Sequence, residues 1–178
     1  MVARRETSGK DIEENGALKV RHFFIQNIMA LNLEKIFYSA LNARQKENYN
    51  FQKVSAVLAD YGFVTIKLSD DWQGADFIAQ HIDGEKFLKI QLKGRLYFAK
   101  KYIGKNLHIA FFAKESWYLC PHDEALDLAI ALGDFRSTKS WQEGGAYSFP
   151  APSRELYRLL ETYKIVGNVK PVPEDSMS

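Results

Sequence analysis

An Asp-Gly pair between two apolar runs constrains the fold of this chain more than any other feature. Asp83-Gly84 separates residues 75–82 from residues 86–92, and both runs are rich in apolar residues. Asp-Gly flanked by such runs is a strong signal for a two-residue β-hairpin turn. The sequence therefore predicts two antiparallel strands that lie next to each other in a sheet.

The register of this hairpin decides which side chains face each other. A turn at Asp83-Gly84 places Asp76 opposite Gln91, whereas a turn one residue later places Asp76 opposite Lys93. Both registers put all three residues on one face, because side chains of a strand alternate with a period of two. We therefore expect a carboxylate, an amide and an ammonium group on the same face.

Around the hairpin, the sequence predicts a helix, further strands and then helices, an order typical of helices flanking one central sheet. Helices are predicted over residues 33–42 and 44–61, over 123–132 with Asp123 as the cap, and from Ser153 onward. Additional strands are predicted over residues 63–68, 107–112 and 117–120. Loops are predicted over residues 69–74 and 133–152, which are rich in Gly, Ser and other polar residues.

Composition and length bound the domain organisation. With 46% hydrophobic residues, the chain has enough apolar material for a core, which excludes a disordered or fibrous protein. We expect a flexible leader over residues 1–16 and a single domain over 17–178, in which 133–178 is an appended element. The single cysteine, Cys120, and the absence of long apolar runs indicate a cytoplasmic protein without membrane spans.

Basic residues are concentrated in one segment. From Lys86 to Lys114 the chain has eight Lys or Arg residues and no Asp or Glu, although its formal net charge is only +2. This segregation favours a polyanionic partner such as nucleic acid. The residues that we expect to bind nucleic acid are Lys89, Arg95, Lys100, Lys101 and Lys105. Tyr102, one of the aromatic residues between them, is expected to pack in the core.

The polar groups of the hairpin are of the kinds used to hydrolyse phosphodiester bonds. Asp76 and Gln91 supply oxygen ligands of the kind that Mg²⁺ prefers, with Mn²⁺ as a substitute. Lys93 is suited to position an attacking water and to offset the charge that develops on phosphorus. Polar residues on one exposed hairpin face also arise by chance, so the motif alone is a weak signal.

The spacing of these residues resembles the signature of the PD-(D/E)XK nuclease superfamily. Asp76 is followed, after fourteen residues, by Gln91-Leu92-Lys93, where the signature has an acid, any residue and Lys. Ala75 stands where the signature has Pro, and Gln91 is similar to the Gln-x-Lys variant of Mrr-type and resolvase-like members. The resemblance implies an α/β protein with a restriction-endonuclease-like core, a central mixed β-sheet of about four to five strands flanked by α-helices.

The family often adds a Glu from the helix before the sheet, and two residues compete for that position. Glu47 and Gln52 both lie on the predicted helix, but one helix face cannot present both equally. Gln52 is closer in sequence to the usual family position, whereas Glu47 is the residue type that the family has there. The resemblance therefore leaves both as candidates, with a slight preference for Glu47.

The expected function is a metal-dependent DNA endonuclease that hydrolyses phosphodiester bonds through a metal-activated water. The first alternative is a non-catalytic nucleic-acid-binding module that retains the nuclease-like fold. A second is a protein-interaction subunit whose basic segment meets an acidic partner. We expect a homodimer if both strands of a duplex are cut, because a twofold axis supplies two active sites.

Overall fold

The computed structural model describes residues 33–167 of the chain. The chain divides into two units, residues 1–40 and 41–178. In the first unit, residues 33–37 have no regular structure, and Tyr38–Ala40 form a single 3-10 turn. The helix predicted over 33–42 is therefore wrong, because Asn42 caps the helix that follows and cannot continue a preceding one. The predicted leader, residues 1–16, lies outside the described residues.

Helix α1 (Ala43–Asp60) opens the second unit and agrees with the helix predicted over 44–61. The Asn42 side chain accepts a hydrogen bond from the Gln45 N–H at 2.9 Å, and the Gln45 side chain accepts one from the Asn42 N–H at 2.9 Å. This reciprocal capping box satisfies two N–H groups that lack helical partners. The helix ends before Gly62, whose φ of 77° lies in the left-handed region that glycine tolerates.

The strands within residues 33–167 are β1 (Phe63–Trp72), β2 (Ala75–His81), β3 (Phe87–Lys93), β4 (Tyr97–Ala99), β5 (Leu107–Ala113), β6 (Ser116–Pro121), β7 (Ala146–Ser148) and β8 (Lys164–Ile165). Six of these strands form one mixed sheet in the order β1-β2-β3-β5-β6-β8, and β4 pairs with β7 in a separate two-stranded sheet. Within the larger sheet, β3 and β5 are parallel, and all other neighbours are antiparallel. The predicted central mixed sheet is confirmed, with six strands in the described part of the chain where about four to five were predicted.

Helices cover both faces of the larger sheet, as predicted. On one face, Val54 and Leu58 of α1 pack against Phe77 and Ile90. On the other face, a larger cluster includes buried residues of α2 (His122–Leu132), α3 (Lys139–Gln142) and α4 (Arg154–Leu160). No helix within residues 33–167 is long and apolar enough to cross a membrane.

The β2–β3 hairpin adopts the first of the two predicted registers. Phe77 pairs with Ile90 and Ile78 with Lys89, which corresponds to a turn centred on Asp83-Gly84. The turn is closed by hydrogen bonds between His81 and Lys86 and between Gly84 and His81. This register directs Asp76 toward Gln91.

The loop predicted over residues 69–74 is mostly strand. Strand β1 continues to Trp72, which pairs with Ala75, and only Gln73 and Gly74 form the turn. Both turn residues have positive φ angles, 57° and 95°, as a tight two-residue hairpin turn requires. The register is irregular between Lys67 and Trp72, so the polar residues of this segment extend a hairpin instead of forming a loop.

The loop predicted over residues 133–152 is also wrong in part. This segment includes a 3-10 turn, α3 and β7, and its Phe135 and Trp141 are buried. The Phe135 ring lies 5.3 Å from the Trp141 ring and 4.5 Å from that of Tyr147. These aromatic contacts give the segment its own contribution to the core, which its Gly and Ser content did not indicate.

Asp123 does not cap α2, because that helix begins at His122 after Pro121. Instead, Asp123 accepts hydrogen bonds from the Gly104 N–H at 2.8 Å and from His122 Nδ1 at 2.7 Å. His122 Nε2 in turn accepts the Ala99 N–H at 3.2 Å. These bonds attach the start of α2 to the connection that crosses over between β3 and β5.

We predict that Gly74→Ala destabilises the fold much more than Gly84→Ala. A Cβ at Gly74 would lie 2.7 Å from Tyr102 Cε1, whereas one at Gly84 would have no neighbour within 4 Å. Both glycines have positive φ, so each substitution costs about 1 kcal/mol for backbone strain. The contact with Tyr102 adds about 2 kcal/mol at Gly74. Urea denaturation measures both losses, and equal losses would contradict the close fit of Gly74 against Tyr102.

Candidate active site

Asp76 lies at the point where strands β2 and β3 separate. Phe77 and Ile90 are the last paired residues of the two strands at this end. Beyond them, an N–H group of β3 donates its hydrogen bond to the Asp76 carboxylate instead of to a backbone carbonyl of β2. Its Oδ2 atom accepts a hydrogen bond from the Leu92 N–H at 2.8 Å and another from Gln91 Nε2. Bonds to a charged acceptor are stronger than neutral ones, so they fix the direction of the side chain.

Gln91 connects Asp76 to the interior. Its side chain is only 5% exposed, and its Oε1 atom accepts a hydrogen bond from the Tyr102 hydroxyl at 2.8 Å. Tyr102 is itself 2% exposed and ends a 3-10 turn in the crossover connection. Both ends of the Gln91 amide are therefore satisfied, as a buried polar group requires.

Lys93 ends strand β3 on the same face as Gln91. Its Nζ atom lies 5.0 Å from the centre of the Tyr97 ring, a cation–π distance. Its positive charge lowers the pKa of Asp76, which places the ammonium group within electrostatic reach of the carboxylate. The structure thus brings Asp76, Gln91 and Lys93 together.

Of the two helical candidates, Glu47 is the one whose charge acts on Asp76. Glu47 Oε1 forms an ion pair with Lys67 Nζ at 2.9 Å, and Lys67 pairs with Phe77, the neighbour of Asp76. The charge of Glu47 also contributes to the pKa of Asp76. Gln52 is exposed, and its offset of five positions from Glu47 turns it by about 140° around the helix.

The pKa of Asp76 is raised above its ordinary value of 3.8. Burial is the largest cause, because it removes water from the charged form, and the nearby Glu47 charge acts in the same direction. The bonds from Leu92 and Gln91 and the charge of Lys93 lower the pKa but do not compensate. A divalent cation would relieve both the desolvation and the repulsion between the two carboxylates.

The basic residues predicted to bind nucleic acid are spread along the crossover connection and the sheet. Lys93 pairs with Phe111 at one end of the parallel strands, whereas Lys89 pairs with Leu107 at the other. Lys105, two residues before Leu107, therefore lies toward the end away from Lys93. Of the predicted set, Arg95 is nearest to Lys93 in sequence, and its side chain is exposed.

The other predicted basic residues make local contacts. Lys89 Nζ donates to Gln73 Oε1 at 3.2 Å, and Lys100 Nζ donates to the Gln142 carbonyl at 3.4 Å. Lys101 Nζ lies 5.0 Å from the centre of the Tyr102 ring. These contacts hold Lys89, Lys100 and Lys101 against three different partners.

Sequence reasoning missed the contribution of Tyr102 and Lys67 to the site. Tyr102 was expected in the core, and it is there, but no spacing rule links its hydroxyl to Gln91. Lys67 could have been found by pairing the first predicted strand with the second, which places it opposite Phe77. Both contacts depend on how separate elements meet in the folded chain.

No protein-family model and no curated protein matches the chain. Two similar solved structures are those of nucleases. Hjc, a Holliday junction resolvase from the archaeal hyperthermophile Archaeoglobus fulgidus, is 16% identical, with a TM-score of 0.36 over 44% of this chain and 74% of that chain. A bacterial homing endonuclease is 15% identical, with a TM-score of 0.37 over 69% of this chain and 86% of that chain. Similarity at this level carries no conclusion about activity.

The donor atoms around Asp76 fit a hard divalent cation. No three His, Cys, Asp or Glu residues within 33–167 converge on one point, so a metal would need the Gln91 amide oxygen besides Asp76 and Glu47. Gln91 Oε1 now faces Tyr102, and a half-turn of the amide would direct it toward Asp76. The Tyr102 hydroxyl is compatible with both orientations, because a hydroxyl both donates and accepts hydrogen bonds.

We predict that Asp76→Asn changes how stability depends on pH. The folded state holds the Asp76 proton more tightly than the unfolded state, so this group favours folding below pH 3.8. That contribution is lost as the pH rises through the raised pKa of the folded state. The difference in free energy of unfolding between wild type and variant, measured by urea denaturation without divalent cations, should fall from pH 3.8 toward neutrality.

Asp83→Asn provides a control of opposite sign. The backbone bond from Glu85 and its other partners lower the pKa of Asp83 to about 2. Its contribution to stability is therefore present above pH 3.8 and lost as the pH falls toward about 2. If the two variants showed the same pH dependence, the raised pKa of Asp76 would be refuted.

Proposed function

We propose that this protein is a metal-dependent nuclease that hydrolyses phosphodiester bonds of DNA. The observation that carries the proposal is the convergence at one end of the hairpin. A half-buried Asp76 carboxylate with a raised pKa is bonded to Gln91 and lies near Lys93 and Glu47. Perturbed carboxylates beside a fixed cation are typical of functional sites. The Gln-x-Lys spacing gives this set its resemblance to the nuclease superfamily.

Each residue has a role that follows from its chemistry. Asp76, Glu47 and Gln91 would hold Mg²⁺, or Mn²⁺ in its place, through oxygen atoms. The bound ion supplies polarisation of the phosphate and a lowered pKa of its water. Lys93, held beside Tyr97, is the group that would orient the attacking water and stabilise negative charge on the phosphate oxygens.

One observation favours the alternative of a non-catalytic nucleic-acid-binding module. The Gln91 amide nitrogen donates to Asp76, and its oxygen accepts from Tyr102. This closed set of hydrogen bonds satisfies the buried polar groups without a metal ion. The alternative predicts salt-sensitive binding of nucleic acid that survives Asp76→Ala, with no cleavage when Mg²⁺ or Mn²⁺ is added.

We predict that Lys93→Ala lowers metal-dependent cleavage at least about 100-fold while the protein remains folded. The matched control is Lys86→Ala, which removes a lysine from the far end of the same hairpin, where Lys86 contacts Asp83 at 3.6 Å. Supercoiled plasmid, linear duplex, branched DNA and single strands would be incubated with Mg²⁺, Mn²⁺ or EDTA. The absence of cleavage by folded wild-type protein would reject the nuclease, and equal activity of the two variants would reject the role of Lys93.

We also predict that Glu47→Gln weakens Mn²⁺ binding, whereas Gln52→Ala does not. Glu47 acts on the Asp76 carboxylate, while Gln52 points elsewhere on the exposed surface of α1. Loss of one carboxylate ligand should reduce the affinity at least about tenfold. Isothermal titration with Mn²⁺ measures both affinities directly. A stronger effect of Gln52→Ala would assign the helical position to Gln52.

A further inference from the structure

A cleft of about 510 Å³ lies between helix α4 and the turn that joins β5 to β6. Its lining is mostly charged, and none of its residues belongs to the site around Asp76. The lining residues are Lys114, Arg154, Glu155, Tyr157, Arg158 and Glu161.

The cleft has an excess of positive charge. The lining has three basic residues and two acidic ones, Glu155 and Glu161, and Glu161 also forms an ion pair with Lys164 at 3.0 Å. Arg154 and Arg158 are four residues apart on one helix face, both are exposed, and neither has an ion-pair partner in the described part of the chain. Two guanidinium groups side by side are suited to the oxygens of a phosphate, which they bind in a bidentate manner.

Lys114 is held at the edge of the cleft by a strained turn. Lys114 and Glu115 have φ angles of 47° and 58°, in a two-residue hairpin turn that favours Asn-Gly. The Lys114 ammonium lies 3.8 Å from the centre of the Tyr157 ring. Strained backbone conformations of non-glycine residues cluster at functional sites, where the surrounding structure holds them in place.

The cleft lies at the same end of the sheet as Lys93. Lys93 pairs with Phe111 on the parallel neighbour strand, and Lys114 follows Phe111 by three residues. At about 3.3 Å per residue, Lys114 is on the order of 10 Å beyond Lys93 along the strands. Neighbouring aromatic rings connect the two places: the Phe111 ring stacks on that of Tyr118 at 5.2 Å, and the Tyr118 ring lies 6.0 Å from that of Tyr157 in a tilted arrangement.

We propose that the cleft formed by Lys114, Arg154 and Arg158 binds a backbone phosphate of the nucleic-acid strand whose scissile phosphate lies at Lys93. This inference rests on the proposed function, because it assumes that a nucleic-acid strand is bound at the site around Asp76 and Lys93. The subsite would fix the position of the strand without reading its sequence, since phosphate contacts carry no base information.

The test is the salt dependence of binding to a labelled duplex oligonucleotide, measured by fluorescence anisotropy in EDTA so that no strand is cut. Each lost phosphate contact should reduce the slope of log Kd against log salt by about 0.9. We expect this reduction for Arg158→Ala and a larger one for Arg154→Ala combined with Arg158→Ala. The control is Arg136→Ala, which removes an exposed arginine that is paired with Asp134 at 2.7 Å.

Lys114→Asn separates binding from folding, because Asn is favoured in this turn. We expect a thermal midpoint at least equal to that of wild type, with the slope reduced by about 0.9. An unchanged slope in the double arginine variant, or no binding by wild type, would overturn the subsite. Binding with the expected slopes but without cleavage in Mg²⁺ or Mn²⁺ would reject the nuclease and support the subsite. Cleavage with unchanged slopes would support the nuclease and reject the subsite.

Discussion

The burial of Gln91 is the constraint on which the rest of the site depends. Strand β3 lies inside the sheet with helices on both faces, so the Gln91 amide reaches no bulk water and is only 5% exposed. An unsatisfied buried amide costs about 1–3 kcal/mol, so partners must be present on both sides. Asp76 and Tyr102 provide them. The Tyr102 ring in turn occupies the space beside Gly74 that a side chain would fill.

Local patterns were sufficient to predict the hairpin and its polar face. The Asp83-Gly84 turn fixes the register, and alternation along two short strands then brings Asp76 and Gln91 together. These relations need only a few consecutive residues and the period of a strand. Local patterns could not decide between Glu47 and Gln52, because that choice depends on how α1 is rotated against the sheet. Val54 and Leu58 set that rotation through their burial.

The features that the sequence did not predict arise where distant segments meet. Phe135 and Trp141 make a buried aromatic cluster with Tyr147, although the residues around them are typical of a loop. The cleft near Lys114 needs both the β5–β6 turn and helix α4, which the chain reaches forty residues later. The excess of basic residues from Lys86 to Lys114 indicated nucleic acid as a partner. It gave no indication that Arg154 and Arg158 lie at the same end of the sheet.

A Gln at position 91, instead of an acid, has a physical rationale in this fold. An acid there would add a third carboxylate beside Asp76 and Glu47, and burial already raises the pKa of Asp76. Without a metal ion, a further buried charge would be costly, because low-dielectric surroundings disfavour unpaired ions. The neutral amide avoids that cost, and the Tyr102 hydroxyl can pair with either of its ends. Gln91 therefore allows the buried site to fold with its amide paired at both ends and without a metal ion.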